Sequence, residues 1–184
     1  MASRILSNMM VNKGYRVTIG ETFGASQRGG SVMSHVRVSA QSAWSPQIPK
    51  GRADIVVSLE PIEAIRILKT YGNLHVKVLI NTRPIYPVGV ISGELDYPSL
   101  EEIKKFVNEL SLVTWFIDAT GEAMKLGNAV LGNIIMIGAL SRIGELPLDR
   151  EDFSKVIARS LPAEKQDLNL KAFDIGSSLL SNSC

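Results

Sequence analysis

Apolar positions along this chain switch repeatedly between helical and strand spacing, and the switches outline its elements. Ile5, Leu6, Met9 and Met10 recur at helical intervals within Ala2 to Asn12, and Gly14 is placed to cap that helix. Tyr15, Val17 and Ile19 then alternate, which predicts a strand from Tyr15 to Ile19. From Ser31 a second alternation puts Val32, Ser34, Val36 and Val38 on one face and Met33, His35 and Arg37 on the other. Asp54 to Leu59 is a near-continuous apolar run, the form taken by a strand buried on both faces. Pro61 suits the first turn of a helix carrying Ile62, Ile65, Ile67 and Leu68, and Gly72 ends it. Val76 to Ile80 and Val113 to Ile117 predict two more buried strands. Between them Ser99, Glu101 and Glu102 open a helix that reaches Leu110.

After Asp118 the pattern is wholly helical, over Gly121 to Leu126, Asn128 to Arg142, Leu148 to Arg159 and Glu164 to Leu180. The segment Ile134 to Leu140 is apolar all round, so its helix is enclosed on most sides. Gly132 and Gly138 weaken it by roughly 1 kcal/mol each relative to alanine, which calls for close packing against a sheet or a subunit in compensation. Strands alternating with helices predict an α/β fold with a mainly parallel sheet, joined by right-handed crossovers and followed by a helical C-terminal third.

Composition narrows the chemistry. The 184 residues suit one domain, and a 45% hydrophobic content supplies one sizeable core. Twenty basic against 18 acidic residues, with no polybasic block, give no footprint for nucleic acid. The longest apolar stretch, Ala129 to Leu140, falls short of the roughly 18 residues a membrane span needs, and residues 1–13 contain no signal-peptide core. Cys184 is the only cysteine, so the chain alone builds neither a disulfide nor a cysteine-ligated iron–sulfur centre. A reducing, cytoplasmic setting is the expectation. The sequence has no Gly-x-Ser-x-Gly elbow, no Walker loop and no cluster with metal-ligand spacing.

Two segments carry candidate chemistry. In the first, Ser26, Gln27, Arg28, Gly29 and Gly30 lead into the second strand, combining a planar cation and amide donors with glycines that let backbone approach a ligand closely. A polar turn of the same composition would serve equally at a hairpin edge. In the second, Asn81-Thr82-Arg83-Pro84-Ile85-Tyr86-Pro87 directly follows a buried strand, where open α/β sheets place ligands. Arg83 there can meet an anion or a partner's carboxylate, or simply lie on a surface crossover. His75, beside an apolar strand, reads as a packing residue, and His35 makes a poor general base without a nucleophile to activate.

The run Glu21-Thr22-Phe23-Gly24-Ala25-Ser26-Gln27-Arg28-Gly29-Gly30-Ser31-Val32-Met33-Ser34-His35-Val36-Arg37 resembles the signature of the gamma-type subunit or domain of the 2-oxoacid:ferredoxin oxidoreductases. Ser45-Pro46-Gln47-Ile48-Pro49, Leu59-Glu60-Pro61-Ile62-Glu63-Ala64, Asn81-Thr82-Arg83-Pro84-Ile85, Pro87-Val88-Gly89-Val90, Gly127-Asn128 with Asn133, and Asn169-Leu170-Lys171-Ala172-Phe173 are similar to the branch represented by indolepyruvate oxidoreductase beta subunits. The likeness spans nearly the whole chain and implies a single gamma-type, Rossmann-like three-layer domain over residues 1–184. It implies an accessory subunit of an enzyme that oxidatively decarboxylates aryl pyruvates to acyl-coenzyme A, with electrons passing to ferredoxin. Thiamine diphosphate, magnesium and iron–sulfur clusters then belong to a large partner subunit and none to this chain alone, and a homodimer stays open for the isolated chain. Ser26 to Gly30 and Arg83 become candidates to face coenzyme A or the partner. Relatives of this kind open on a strand and a Gly-x-Gly-Gly-Gln-Gly loop ahead of the helix that Met1 to Leu6 begins, so the expected sheet lacks that first strand and loop. The competing expectation is a stand-alone Rossmann-like protein that binds a small anion at residues 24–30. Such a protein would be stabilised by ~2.7 kcal/mol at a hundredfold excess of ligand over Kd.

Overall fold

The structure is a computed structural model that describes residues 1–22 and 32–181. In chain order it contains α1 (Ala2–Asn12), β1 (Arg16–Thr22), β2 (Met33–Ser39), β3 (Ile55–Ser58), α2 (Pro61–Tyr71), β4 (Lys77–Asn81), α3 (Val88–Ile91), α4 (Leu100–Glu109), β5 (Val113–Ile117) and α5 (Ala119–Lys125). A single 3₁₀ turn, Ala129–Leu131, then leads into α6 (Gly132–Ile143), α7 (Arg150–Ser160) and α8 (Ala163–Ser181). The chain divides into two compact units, one made of residues 1–48 and 122–184, the other of residues 49–121.

The second unit holds the parallel sheet, in the order β3-β4-β5. Its register aligns Val56 with Val78 and Thr114, and Ser58 with Ile80 and Phe116. Val78, Leu79 and Ile80 on the central strand are fully buried. Helices α2 and α4 pack against the strands and against each other, burying Ala64, Leu68, Ile103 and Val107. Local signals fix both helices. Glu60 caps α2 by accepting from the Glu63 amide at 2.9 Å, with Pro61 at the first turn. Ser99 and Glu102 form a reciprocal capping box at the start of α4. The expectation that 54–59 is buried on both faces is corrected: β3 is an edge strand, with Val57 and Leu59 exposed. An apolar run looks the same at an edge as at a centre.

In the first unit β1 and β2 pair antiparallel, with Gly20 opposite His35, as a sheet separate from the parallel one. The predicted strand at 15–19 therefore belongs to a hairpin and runs on to Thr22. Helix α1 buries Met9 and Met10 and stops where Gly14 takes a φ of +87°. Lys13 then reaches across to α7, with its Nζ 2.8 Å from Asp152 and 3.0 Å from Asp149. The Asp152 amide and this ammonium hold the Asp149 carboxyl down at about 2.

The all-apolar helix α6 is enclosed, with Ile134, Ile135, Met136 and Leu140 buried. What compensates its glycine differs from expectation, because Gly138 faces neither a sheet nor a subunit but the backbone of α8. A Cβ at Gly138 would lie 2.1 Å from the Phe173 carbonyl oxygen, and one at Gly176 would lie 1.9 Å from that of Ile135. The two glycines thus let α6 and α8 cross with backbones nearly touching. Phe153 of α7 stacks on Phe173 of α8, with centroids 4.7 Å apart, closing this helical core.

Candidate functional site

Ser26, Gln27, Arg28, Gly29 and Gly30 lie outside the described residues; the paired strands β1 and β2 that precede and follow them in sequence are described. On β2, alternation leaves open which face turns inward, and packing selects the one bearing His35, which is only 4% exposed. Its Nδ1 accepts the Ile48 amide at 3.3 Å, which leaves the ring proton of the neutral imidazole on Nε2. Burial lowers its pKa below the ordinary 6.5, so the ring stays neutral at pH 7. Arg37 folds back on the following segment. Its Nη1 donates to the Ser45 carbonyl (3.2 Å), the Ser45 hydroxyl (3.0 Å) and the Gln47 carbonyl (3.1 Å), while the guanidinium lies 5.0 Å over the Trp44 ring. His35 and Arg37 thus act as braces of the hairpin.

The His35 brace has a pH signature. The unfolded ring binds a proton near pH 6.5 and the folded ring only at lower pH, so stability is fully present above 6.5 and falls as pH drops below it. Thermal melts of the chain and of His35→Asn, whose Oδ1 can replace Nδ1, are expected to diverge less at pH 5.5 than at pH 7.5. An unchanged difference between the two pH values would show that the ring gains its proton as readily folded as unfolded.

In the second unit, polar residues gather at the C-terminal ends of β3 and β4, where parallel sheets place their sites. Asn81, buried at the end of β4, donates from Nδ2 to the Leu59 carbonyl and to the Thr120 hydroxyl, both at 2.9 Å. Its Oδ1 accepts the Thr120 amide at 3.1 Å. One side chain thus joins the ends of two strands to the start of α5, whose first turn Asp118 caps by accepting from Gly121 at 2.8 Å. Glu60 is buried with both carboxylate oxygens engaged, Oε2 by the Glu63 amide and Oε1 by a short hydrogen bond from the Tyr97 hydroxyl. Burial first, and the Glu60 carboxylate second, raise the Tyr97 pKa, so the phenol remains a donor. Tyr86 meets Tyr97 edge-on at 5.0 Å.

Arg83 follows two residues after Asn81. It is exposed, and among the described residues its guanidinium has no hydrogen-bond or ion-pair partner, so it is available to an anion or a carboxylate. His75 is exposed as well, contrary to the packing role expected of it, and its amide donates to Asn73 Oδ1. Sequence reasoning placed Asn81 in the second candidate segment without giving it a role, and it did not pair Glu60 with Tyr97. The available signal was a polar residue ending an apolar strand and a glutamate immediately before a helix-opening proline. Among the described residues no group of three or more His, Cys, Asp or Glu side chains converges as a metal site, and no helix is long and apolar enough to cross a membrane.

Residues 1–179 match the family model described as pyruvate ferredoxin/flavodoxin oxidoreductase. Indolepyruvate oxidoreductase subunit IorB of Pyrococcus horikoshii is 40% identical over 176 residues, which cover 95% of this chain and 86% of that protein. The IorB subunit of Archaeoglobus fulgidus is 37% identical over 177 residues, covering 95% and 85%. Among solved structures, the pyruvate oxidoreductase subunit PORC of Thermotoga maritima superposes with a TM-score of 0.67 at 22% identity, covering 95% of this chain and 85% of that one. The 2-oxoglutarate:ferredoxin oxidoreductase of Magnetococcus marinus gives 0.74 at 18% identity, covering 98% of this chain and 28% of that one, so here the fold is one part of a longer polypeptide. The α/β architecture and the near-full-length matches agree, and the chain belongs to the pyruvate ferredoxin/flavodoxin oxidoreductase family.

Proposed function

We propose that this chain is the accessory, gamma-type subunit of an indolepyruvate oxidoreductase. In that role it supports the oxidative decarboxylation of aryl pyruvates to acyl-coenzyme A, with ferredoxin as electron acceptor, in the cytoplasm. The observation that carries the reading is the 40% identity to an IorB subunit over 95% of the chain. The site geometry supports it, because His35, Arg37, Glu60 and Asn81 are each spent on holding the fold. Among the described residues no three or more His, Cys, Asp or Glu side chains gather as a metal site, and the one cysteine of the sequence, Cys184, is fewer than an iron–sulfur cluster needs. On this reading thiamine diphosphate, magnesium and the iron–sulfur clusters belong to a large partner subunit.

Ser26, Gln27, Arg28, Gly29, Gly30 and Arg83 are then this chain's residues toward coenzyme A or that subunit. In the assembled complex, Arg28→Ala and Arg83→Ala are each expected to lower turnover at least tenfold, and Arg83→Ala, at an exposed position, is expected to leave the chain's own stability within about 0.5 kcal/mol of wild type. Full activity in both variants would remove these residues from the site. A panel of 2-oxoacids tests the substrate. The complex is expected to give its highest kcat/KM with indolepyruvate, and a preference for pyruvate or 2-oxoglutarate would reassign it.

A further inference from the structure

The span that carries Arg83, residues 82–87, has no secondary structure of its own, yet it is tied down on both sides of that residue. On one side the Thr82 amide donates to the Ile117 carbonyl at 2.9 Å, beside the last pair of β4 and β5. On the other, the Tyr86 ring meets Tyr97 edge-on, with centroids 5.0 Å apart. Pro84 within the span and Pro87 at its end fix two φ angles as well. Arg83 thus has an exposed side chain on a backbone with little freedom. A cation presented in this way loses less entropy when it meets an anion.

The tie at Tyr86 depends on one hydroxyl. Tyr86 is 52% exposed, so burial does not hold it in place. Tyr97 is held, because its hydroxyl donates a short hydrogen bond to Oε1 of the buried Glu60. The other oxygen, Oε2, accepts the Glu63 amide at 2.9 Å and caps α2, which packs on the sheet. The cap uses Oε2 alone, so the phenol on Oε1 adds a link to the Arg83 span and not to the helix. A line of contacts therefore runs from α2 through Glu60, Tyr97 and Tyr86 to Arg83.

We propose that Tyr97 is a positioning residue: fixed on Glu60, it holds Tyr86 and the span 82–87 so that Arg83 meets an oxyanion, either a phosphate of coenzyme A or a carboxylate of the large subunit. The proposal rests on the role of Arg83 proposed above.

The test is a double-variant cycle on the assembled complex, with ferredoxin reduction by indolepyruvate and coenzyme A as the readout. Tyr97→Phe keeps the ring beside Tyr86 and loses the bond to Glu60. Tyr86→Ala, at an exposed position, removes the ring contact and leaves that bond, so it carries the test where Tyr97→Phe does not fold. Each is expected to lower activity at least threefold when Arg83 is present and to have no further effect in an Arg83→Ala background. A higher KM for coenzyme A would assign the oxyanion to the cofactor. A larger amount of this chain needed for half-maximal activity would assign it to the large subunit. A fall in kcat with neither of these changed would overturn the anion contact. Full activity in Tyr97→Phe, or equal losses with and without Arg83, would overturn the positioning role while a loss in Arg83→Ala alone keeps the reading of Arg83. Wild-type activity in Arg83→Ala would overturn that reading and this proposal with it.

Discussion

Gly176→Ala is expected to destabilise the chain by about 3 kcal/mol, at the upper end of what an added methyl costs in a tightly packed core. The new Cβ would sit 1.9 Å from the Ile135 carbonyl oxygen and 2.9 Å from the Ala139 nitrogen, and these are backbone atoms that cannot swing aside as a side chain can. Helices α6 and α8 would have to separate, loosening the contacts of Ile134, Met136 and Phe173 along the crossing. Helix propensity opposes this loss, since alanine is favoured over glycine in a helix interior by roughly 1 kcal/mol, and the steric term is the larger. Gly138→Ala meets the Phe173 carbonyl at 2.1 Å and should behave alike. Because both substitutions push the same two helices apart, the double variant should cost less than the sum of the two. Urea titrations measure all three. A Gly176→Ala chain more stable than wild type would mean that propensity alone governs and that the close crossing does not exist.

Asn81→Ala is the second large effect. It leaves the Leu59 carbonyl and the Thr120 amide without their partner, and because both bonds are part-buried the expected loss lies toward the lower end of about 1–3 kcal/mol. The conservative Asn81→Asp keeps an oxygen for the Thr120 amide but turns another toward the Leu59 carbonyl, so it should rescue only part of the loss. Amide hydrogen exchange gives the local readout: Thr120 should lose protection in Asn81→Ala and retain most of it in Asn81→Asp. Unchanged exchange at Thr120 would remove Asn81 from its bracing role. The contrast with Arg83, two residues on, is sharp. One side chain holds the strand ends together, and the other is free to meet something outside the chain.

How much of this was legible in the sequence depended on how local the cause was. The strand at Val113–Ile117, the proline-opened helix ending at Gly72 and the capping box of Ser99 and Glu102 rest on neighbouring residues, and they stand where the pattern puts them. Helix α3 went unseen because the four residues between Pro87 and Ser92, Val88, Gly89, Val90 and Ile91, include no polar position to set a period. The edge position of β3, the inward turn of His35 and the separation of the β1–β2 hairpin are choices made by packing between distant segments. The bracing role of Asn81 was hidden for the same reason, since its partners lie 22 and 39 residues away. Gly138 was recognised as a cost to its helix, but its compensation came from Phe173 and Gly176, which no local window contains. At the candidate site, the family resemblance depended on several ordered motifs and was fully legible. Arg83 is exposed after β4, and residues 26–30 lie outside the described part of the chain.

The central claim is that this chain completes an enzyme whose reacting groups another subunit carries. Ferredoxin reduction with indolepyruvate and coenzyme A, measured for the chain alone, for the cluster-bearing subunit alone and for the two mixed, tests it most directly. Full turnover is expected only in the mixture, and none by this chain alone. Turnover by the isolated chain, or a large subunit equally active without it, would overturn the accessory-subunit assignment.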